Sequence, residues 1–312
     1  MIIVTGGAGF IGSNLVRGLN ARGCTDVLVV DDMTDGTKFA NLVDCQIADY
    51  EDKDAFRQRL CSAGLWDDIE AVLHQGACTS TTEWDGRLML DQNFAVSREL
   101  LHACAARQVP FIYASSAAVY GAGLEFREDP SYERPLNVYG YSKLLFDQYV
   151  RRCRVRDSQV VGLRYFNVYG RGESHKDAMA SVVWHFNEQL KSSGEVRLFE
   201  GSDGFGDGEQ RRDFVFVDDI VRVVLHFLER PDLCGIFNAG TGRAQTFNDV
   251  ARAVIDWHGH GRICYVGFPT HLQGRYQSFT EADLGALRST GYDGDFRTVE
   301  QGVKATLDVI NA

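Results

Sequence analysis

The chain opens with Ile2-Ile3-Val4-Thr5-Gly6-Gly7-Ala8-Gly9-Phe10-Ile11-Gly12 after its first methionine. A short β-branched run leads straight into glycines at 6, 9 and 12, and an amphipathic stretch follows. The pattern predicts a strand over residues 2–5, a tight turn, and a helix over 10–22 that Gly23 is placed to end. Glycines let the turn fold tightly and let backbone approach a pyrophosphate. The helix start adds free N–H groups and the positive end of its dipole. Asp31 closes the next apolar run, Val27–Asp31, 19 residues after Gly12, where a carboxylate would meet an adenosine ribose. A glycine trio alone is a weak signal, but strand, trio, helix, strand and acid in this order predict a dinucleotide site. Its candidate contacts are Gly6, Gly9, Gly12 and Asp31.

Outward from that turn, Ala71–His74, Phe111–Ser115 and Val160–Tyr165 read as strands, separated by helices over Met89–Arg107 and Tyr139–Arg152. Strands alternating with helices imply a parallel sheet covered on both faces. The second half is less regular. Ser181–Lys191 reads as a helix, and the Gly- and Asp-rich Ser202–Glu209 as a loop. Phe214–Val217, Asp218–Leu228 and Gly235–Ala239 read as strand, helix and strand returning to the main sheet, and Phe247–Trp257 as a helix of a smaller lobe. The expected fold is α/β, a doubly wound parallel sheet with a smaller C-terminal α/β lobe. Residues 1–167 plus 214–240 would form the dinucleotide-binding domain, and 168–213 plus 241–312 the substrate-binding lobe.

The bulk numbers narrow the partners. The 312 residues are 45% hydrophobic and 24% charged, enough apolar material for a large core. A net charge of −11 argues against a nucleic-acid partner, which needs a basic surface. The eight cysteines are dispersed without a C-x-x-C, which suits reduced thiols. No leader pattern and no apolar run of membrane-spanning length is visible, so a cytoplasmic protein without membrane contact is expected.

Tyr139 and Lys143 are four residues apart, so a helix puts them on one face. A nearby ammonium favours phenolate, and a tyrosine so poised can take a hydroxyl proton while hydride leaves to a nicotinamide. Tyr-x-x-x-Lys is common by chance. The context is Tyr113-Ala114-Ser115-Ser116-Ala117-Ala118-Val119-Tyr120-Gly121, at the C-terminal end of a predicted strand, where open α/β sheets place ligands. Ser116 could there hydrogen-bond a reacting oxygen. For the cofactor, Asp31 and Asp32 favour NAD, because carboxylates repel a 2′-phosphate. Lys38 and Lys53 would reverse that preference if they turned towards it.

The glycine motif, Ser116, Tyr139/Lys143 and Arg164-Tyr165-Phe166-Asn167-Val168-Tyr169-Gly170 together resemble the extended short-chain dehydrogenase/reductase family, which has a Rossmann-like fold. The family includes nucleotide-sugar epimerases and dehydratases. Gly76-Ala77-Cys78-Thr79-Ser80-Thr81-Thr82-Glu83-Trp84-Asp85-Gly86, His175-Lys176, Phe199-Glu200-Gly201-Ser202, Arg212-Asp213-Phe214 and Gly274-Arg275-Tyr276-Gln277 bring it closer to the branch acting on ADP-linked heptose. These segments span almost the whole chain.

The resemblance implies an isomerase that inverts carbon six of the heptose by transient oxidation and supplies a precursor of the lipopolysaccharide inner core. It implies tightly held NADP, with Phe10, Ile11, Asp32, Lys38, Lys53, Gln75, Gly76, Ala77, Cys78, Thr79, Gln92, Lys143, Val168 and Lys176 joining the cofactor contacts. Tyr139, Lys143, Ser116 and a second base, Lys176, would be catalytic. Asn167, Ala178, His185, Phe199, Glu200, Gly201, Ser202, Arg212 and Tyr276 would contact substrate. A homo-oligomer, a pentamer, is implied as well. Gln75, Gln92 and Ala178 depart from the family's Glu, Asn and Ser. The stretch 202–212 is longer than the family pattern, which leaves Arg211 and Arg212 both open as diphosphate ligands.

Three other readings remain. A dehydratase would carry an Asp-Glu pair where Ala117 and Ala118 stand. A carbon-four epimerase shares the core motifs but fits the Trp84 and His175-Lys176 segments less well. A non-catalytic dinucleotide sensor would be expected to lack the Ser/Tyr/Lys set. His258-Gly259-His260 has no Cys or carboxylate cluster beside it and reads as a surface turn, so no metal is expected.

Overall fold

The computed structural model describes residues 1–153, 157–269 and 276–312. Among these residues, twelve strands run β1 Ile2–Thr5, β2 Val27–Asp31, β3 Asp49–Asp52, β4 Ala71–His74, β5 Phe111–Ser116, β6 Val160–Tyr165, β7 Asn167–Tyr169, β8 Glu195–Phe199, β9 Arg211–Phe216, β10 Gly235–Ala239, β11 Ala244–Thr246 and β12 Arg262–Val266. Seven form one parallel sheet in the order β10-β6-β5-β4-β1-β2-β3. The order reverses between β1 and β4, which opens a crevice at their C-terminal ends. This is the doubly wound, Rossmann-like sheet that the sequence predicted.

Continuous apolar strands dictate two buried faces. Ile2 and Val4 pack with Leu15, Val16, Ile220 and Val224 on one side. Ile3 turns the other way, towards Phe56, Leu100, Leu101 and Phe146. Each such side chain, fully buried, contributes about 1.5–3 kcal/mol. The helix predicted over 10–22 runs Phe10–Asn20, with Gly23 in the left-handed region at φ +81° just beyond it. No helix among the described residues is long and apolar enough to cross a membrane.

Two expectations need correction. The strand predicted over Phe214–Val217 does not return to the main sheet. It lies in β9, which pairs with β7 and β11 in a separate three-stranded sheet. Its run is apolar on both faces because it sits between two cores: Val215 packs with the main-sheet core, while Phe214 and Phe216 pack with Val183, Val250, Val299 and Val303. The helix predicted over Met89–Arg107 is instead three pieces. An α-turn at Gly86–Met89 passes into a π-helical stretch, Leu90–Ala95, and then into an α-helix, Val96–Ala105.

Candidate active site

The glycine turn is shaped by contact. Gly6 adopts φ +66°, and a Cβ there would lie 2.7 Å from Gly76 N. At Gly12 a Cβ would lie 2.1 Å from the Gly6 carbonyl oxygen, so only glycine lets the helix start this close to the strand. Asp31 is buried and fully engaged. Its Oδ2 accepts from Ala8 N at 2.8 Å and Gly9 N at 3.1 Å, and its Oδ1 accepts from Asp32 N at 2.7 Å and Lys38 Nζ at 3.1 Å. The residue expected to read a ribose therefore also shapes the glycine turn. Asp32 pairs with Lys53 at 2.7 Å, a contact that holds its carboxyl well below the usual range. Both lysines thus offset the two carboxylates that argue for NAD.

A cavity of about 1260 Å³ runs from this turn into the smaller lobe. Gly6, Gly9, Phe10, Ile11, Gly12, Asp31, Lys38 and Gln75 to Thr79 line its cofactor end, and Ser116, Tyr139, Lys143, Val168 and Lys176 line its middle. Asn167, Ala178, His185, Phe199, Arg212 and Tyr276 also lie on its wall. Asp32, Lys53, Gln92, Glu200, Gly201 and Ser202 do not. Gly274 and Arg275 lie outside the described residues.

Tyr139 sits in the first turn of the helix Val138–Arg152, where Asn137 Oδ1 caps the end by accepting from Gly140 N at 2.8 Å. Burial pushes the Tyr139 phenol up, and a hydrogen bond with Ser116 draws it partly back. The predicted lowering by Lys143 is therefore not what the geometry gives. The Lys143 ammonium donates to the Ala114 carbonyl at 2.9 Å, and burial pulls its pKa down to about 8. One turn further along, the buried Asp147 favours the charged lysine. Asp147 is itself held by Tyr113 OH at 2.9 Å, Ser115 Oγ at 3.0 Å and Arg164 Nε at 2.9 Å.

Sequence reasoning missed Asn93. It is 1% exposed and lies in the π-helical stretch. Its Oδ1 accepts from Cys78 N at 2.8 Å, and its Nδ2 donates to Cys78 O and Ser142 Oγ, each at 3.0 Å. One side chain thus ties the 75–79 segment to the tyrosine helix. Gln92 beside it, the position that family likeness singles out, is off the cavity wall. The usable signal was an amide on the inward face of an apolar helix.

Lys176 lies in the turn Ser174–Met179, where Asp177 is forced to φ +43° and ψ −125°. Its ammonium sits 3.5 Å from Glu173 Oε2 and 4.9 Å from the centre of the Phe10 ring. In the smaller lobe, Arg212 is 5% exposed, and its guanidinium lies 4.8 Å from the Tyr276 ring centre and 5.8 Å from that of Phe247. Burial lowers its pKa, and no carboxylate among the described residues pairs with it. A buried cation without an anion, on a cavity wall, fits a diphosphate. Arg211 beside it is exposed and off the wall.

The model of the NAD dependent epimerase/dehydratase family matches residues 2–240. The chain belongs to the NAD dependent epimerase/dehydratase family. Membership makes a nicotinamide dinucleotide the cofactor, and the glycine cradle, which a Cβ would fill, fits it. Within the epimerase/dehydratase family, the chain is 62% identical over 311 residues to an ADP-L-glycero-D-manno-heptose-6-epimerase of Alkalilimnicola ehrlichii, covering 99% of this chain and 97% of that protein. The solved Helicobacter pylori ADP-L-glycero-D-manno-heptose-6-epimerase superposes with a TM-score of 0.86 at 29% identity, over 100% of this chain and 96% of that one. The Thermus thermophilus UDP-glucose 4-epimerase in complex with NAD gives 0.81 at 28% identity, over 100% and 99%.

Proposed function

We propose that this enzyme inverts carbon six of ADP-D-glycero-D-manno-heptose to give ADP-L-glycero-D-manno-heptose, with NADP bound and with Tyr139 and Lys176 as the two bases. The observation that carries the reading is one cavity lined by the glycine turn, Tyr139, Lys176 and Arg212, which no carboxylate among the described residues pairs with. The full-length likeness to the Alkalilimnicola epimerase supports the choice of sugar. NADP rather than NAD is supported by Lys38 and Lys53, whose ion pairs offset Asp31 and Asp32 where a 2′-phosphate would add charge.

The glycine turn and residues 75–79 would hold the dinucleotide, which would supply the hydride acceptor and donor that the sugar's carbon six requires. Inversion needs removal from one face and return to the other, and one base cannot readily serve both. Tyr139 and Lys176 would each hold the hydroxyl proton of one epimer. Carbon six also carries carbon seven, so the oxidised sugar is a ketone, which must turn between the two transfers. Tyr139, with its phenol pushed up by burial, is suited to give its proton to the carbonyl oxygen. Ser116 would hydrogen-bond that oxygen. Lys143, drawn down to about 8, stays charged at neutral pH and would bind the dinucleotide from the cavity wall it shares with Tyr139. Arg212 would anchor the diphosphate so that only the sugar end moves. We read the enzyme as a cytoplasmic homo-oligomer, pentameric by resemblance, with residues 168–213 and 241–312 as its substrate lobe.

Incubation of the purified protein with ADP-D-glycero-D-manno-heptose, followed by NMR at carbon six, tests the activity. Mass spectrometry of the released dinucleotide decides between NADP and NAD. No inversion with intact bound dinucleotide would overturn the assignment of substrate.

A further inference from the structure

We infer that Glu173 is a positioning residue for the second base: its carboxylate closes the turn that carries Lys176 and holds the ammonium in the cavity. The inference rests on the two-base reading above. Glu173 is 1% exposed, yet each of its oxygens is in use. Oε1 accepts from Gly170 N at 3.1 Å and Ser181 Oγ at 2.7 Å, while Oε2 accepts from Ser181 N at 2.7 Å and lies 3.5 Å from Lys176 Nζ. Gly170 precedes the turn and Ser181 follows it, so one carboxylate pins both ends of the segment.

The opposite side of the segment is tied to the dinucleotide turn. Asn14 Nδ2 donates to Arg171 O at 2.9 Å, and Asn41 Nδ2 contacts Ala8 O at 3.0 Å, Gly172 O at 3.2 Å and His175 Nδ1 at 3.2 Å. Between these anchors the backbone strain at Asp177 is held rather than relaxed. At 3.5 Å from Glu173 and over the face of Phe10, the ammonium is aimed but not saturated, which leaves N–H groups for a sugar oxygen. A buried anion with four donors around it is worth keeping only if all four stay.

An amide cannot do this. In Glu173→Gln the NH2 group would face an N–H or ammonium donor in either orientation, and the charge that holds Lys176 is gone. The holoenzyme, Glu173→Gln and Lys176→Met are each mixed with one epimer or the other, and the first rise of reduced-nicotinamide absorbance is timed. Amide hydrogen exchange over 170–181 is followed in parallel. We expect Glu173→Gln to slow oxidation of one epimer about 10-fold or more, the same epimer that Lys176→Met slows, and to leave the other within about 2-fold. The 170–181 amides should exchange faster. Ser181→Ala, which removes one donor, should shift both readouts the same way by less, and it serves if Glu173→Gln does not fold. Equal slowing of both epimers, or none, overturns the positioning role. If Lys176→Met itself shows no preference between epimers, the two-base reading fails first.

Discussion

Tyr139 and Lys176 line one cavity from walls built in different ways. The tyrosine stands on a capped 15-residue helix whose inner face is tied down by Asp147, Arg164 and the Asn93 amide. The lysine stands on a six-residue turn with one strained residue and one buried carboxylate to hold it. The contrast teaches that a proton donor bound to a rigid helix can be pre-placed by packing alone, whereas one on a short turn depends on a few polar contacts.

The largest test removes each base in turn. Tyr139→Phe should lower the rate of carbon-six inversion by about 10³-fold and Lys176→Met by about 10²-fold or more, with little change in melting temperature. Full activity in both would remove the comparison altogether. Asn93→Ala should loosen the rigid wall by stranding the Cys78 backbone, a loss of about 2 kcal/mol, read as a melting temperature lower by about 3 °C. No change would mean that the helix is held without its clamp.

A third test is pH. Lys143 is drawn from the ordinary lysine value of 10.5 to about 8. Below about 8 both folded and unfolded chains carry the proton, and the folded state bears the full penalty of a buried charge. Between about 8 and 10.5 only the unfolded lysine keeps its proton, so this residue's contribution to stability rises with pH. Activity should move the opposite way, with kcat/KM falling about tenfold per pH unit above about 8 as the ammonium is lost. A flat profile to pH 10 would show that the charge is not used. The smallest effect belongs to the turn: Asp177→Gly should relieve the strained φ and stabilise the chain by about 0.5–1 kcal/mol, measured by denaturant unfolding. It should also cost a few-fold in turnover. Unchanged stability would mean that the turn is not strained in solution.

The dinucleotide half was legible because its signals are local. Residues 2–12 carry period, turn chemistry and helix start within one window, and every apolar main-sheet strand was found, Phe111–Ser116 ending one residue later than predicted. β3, with the sequence Asp-Tyr-Glu-Asp, was missed because an exposed edge strand has no buried face to announce it. β9 was found but misplaced, since a strand apolar on both faces reads as central whichever sheets enclose it. In the site, Tyr139 and Lys143 followed from helical spacing. Lys176 came only from family likeness, because nothing in its own neighbourhood separates it from a surface lysine. Asn93 and Glu173 depend on contacts 15 or 49 residues away and on a buried turn, and neither has a period to betray it.

The wide turn at Leu90–Ala95 has a consequence for how this chain tolerates changes in length. A π-turn holds a residue more than an α-turn would need, and that surplus sets the rotation at which the Asn93 amide emerges. Deleting one residue there would let the helix run straight and swing the amide round by about 100°. Such a shortened chain would gain a more regular helix and lose the link between Cys78 and Ser142, so that folding would survive while the cofactor's bed came apart.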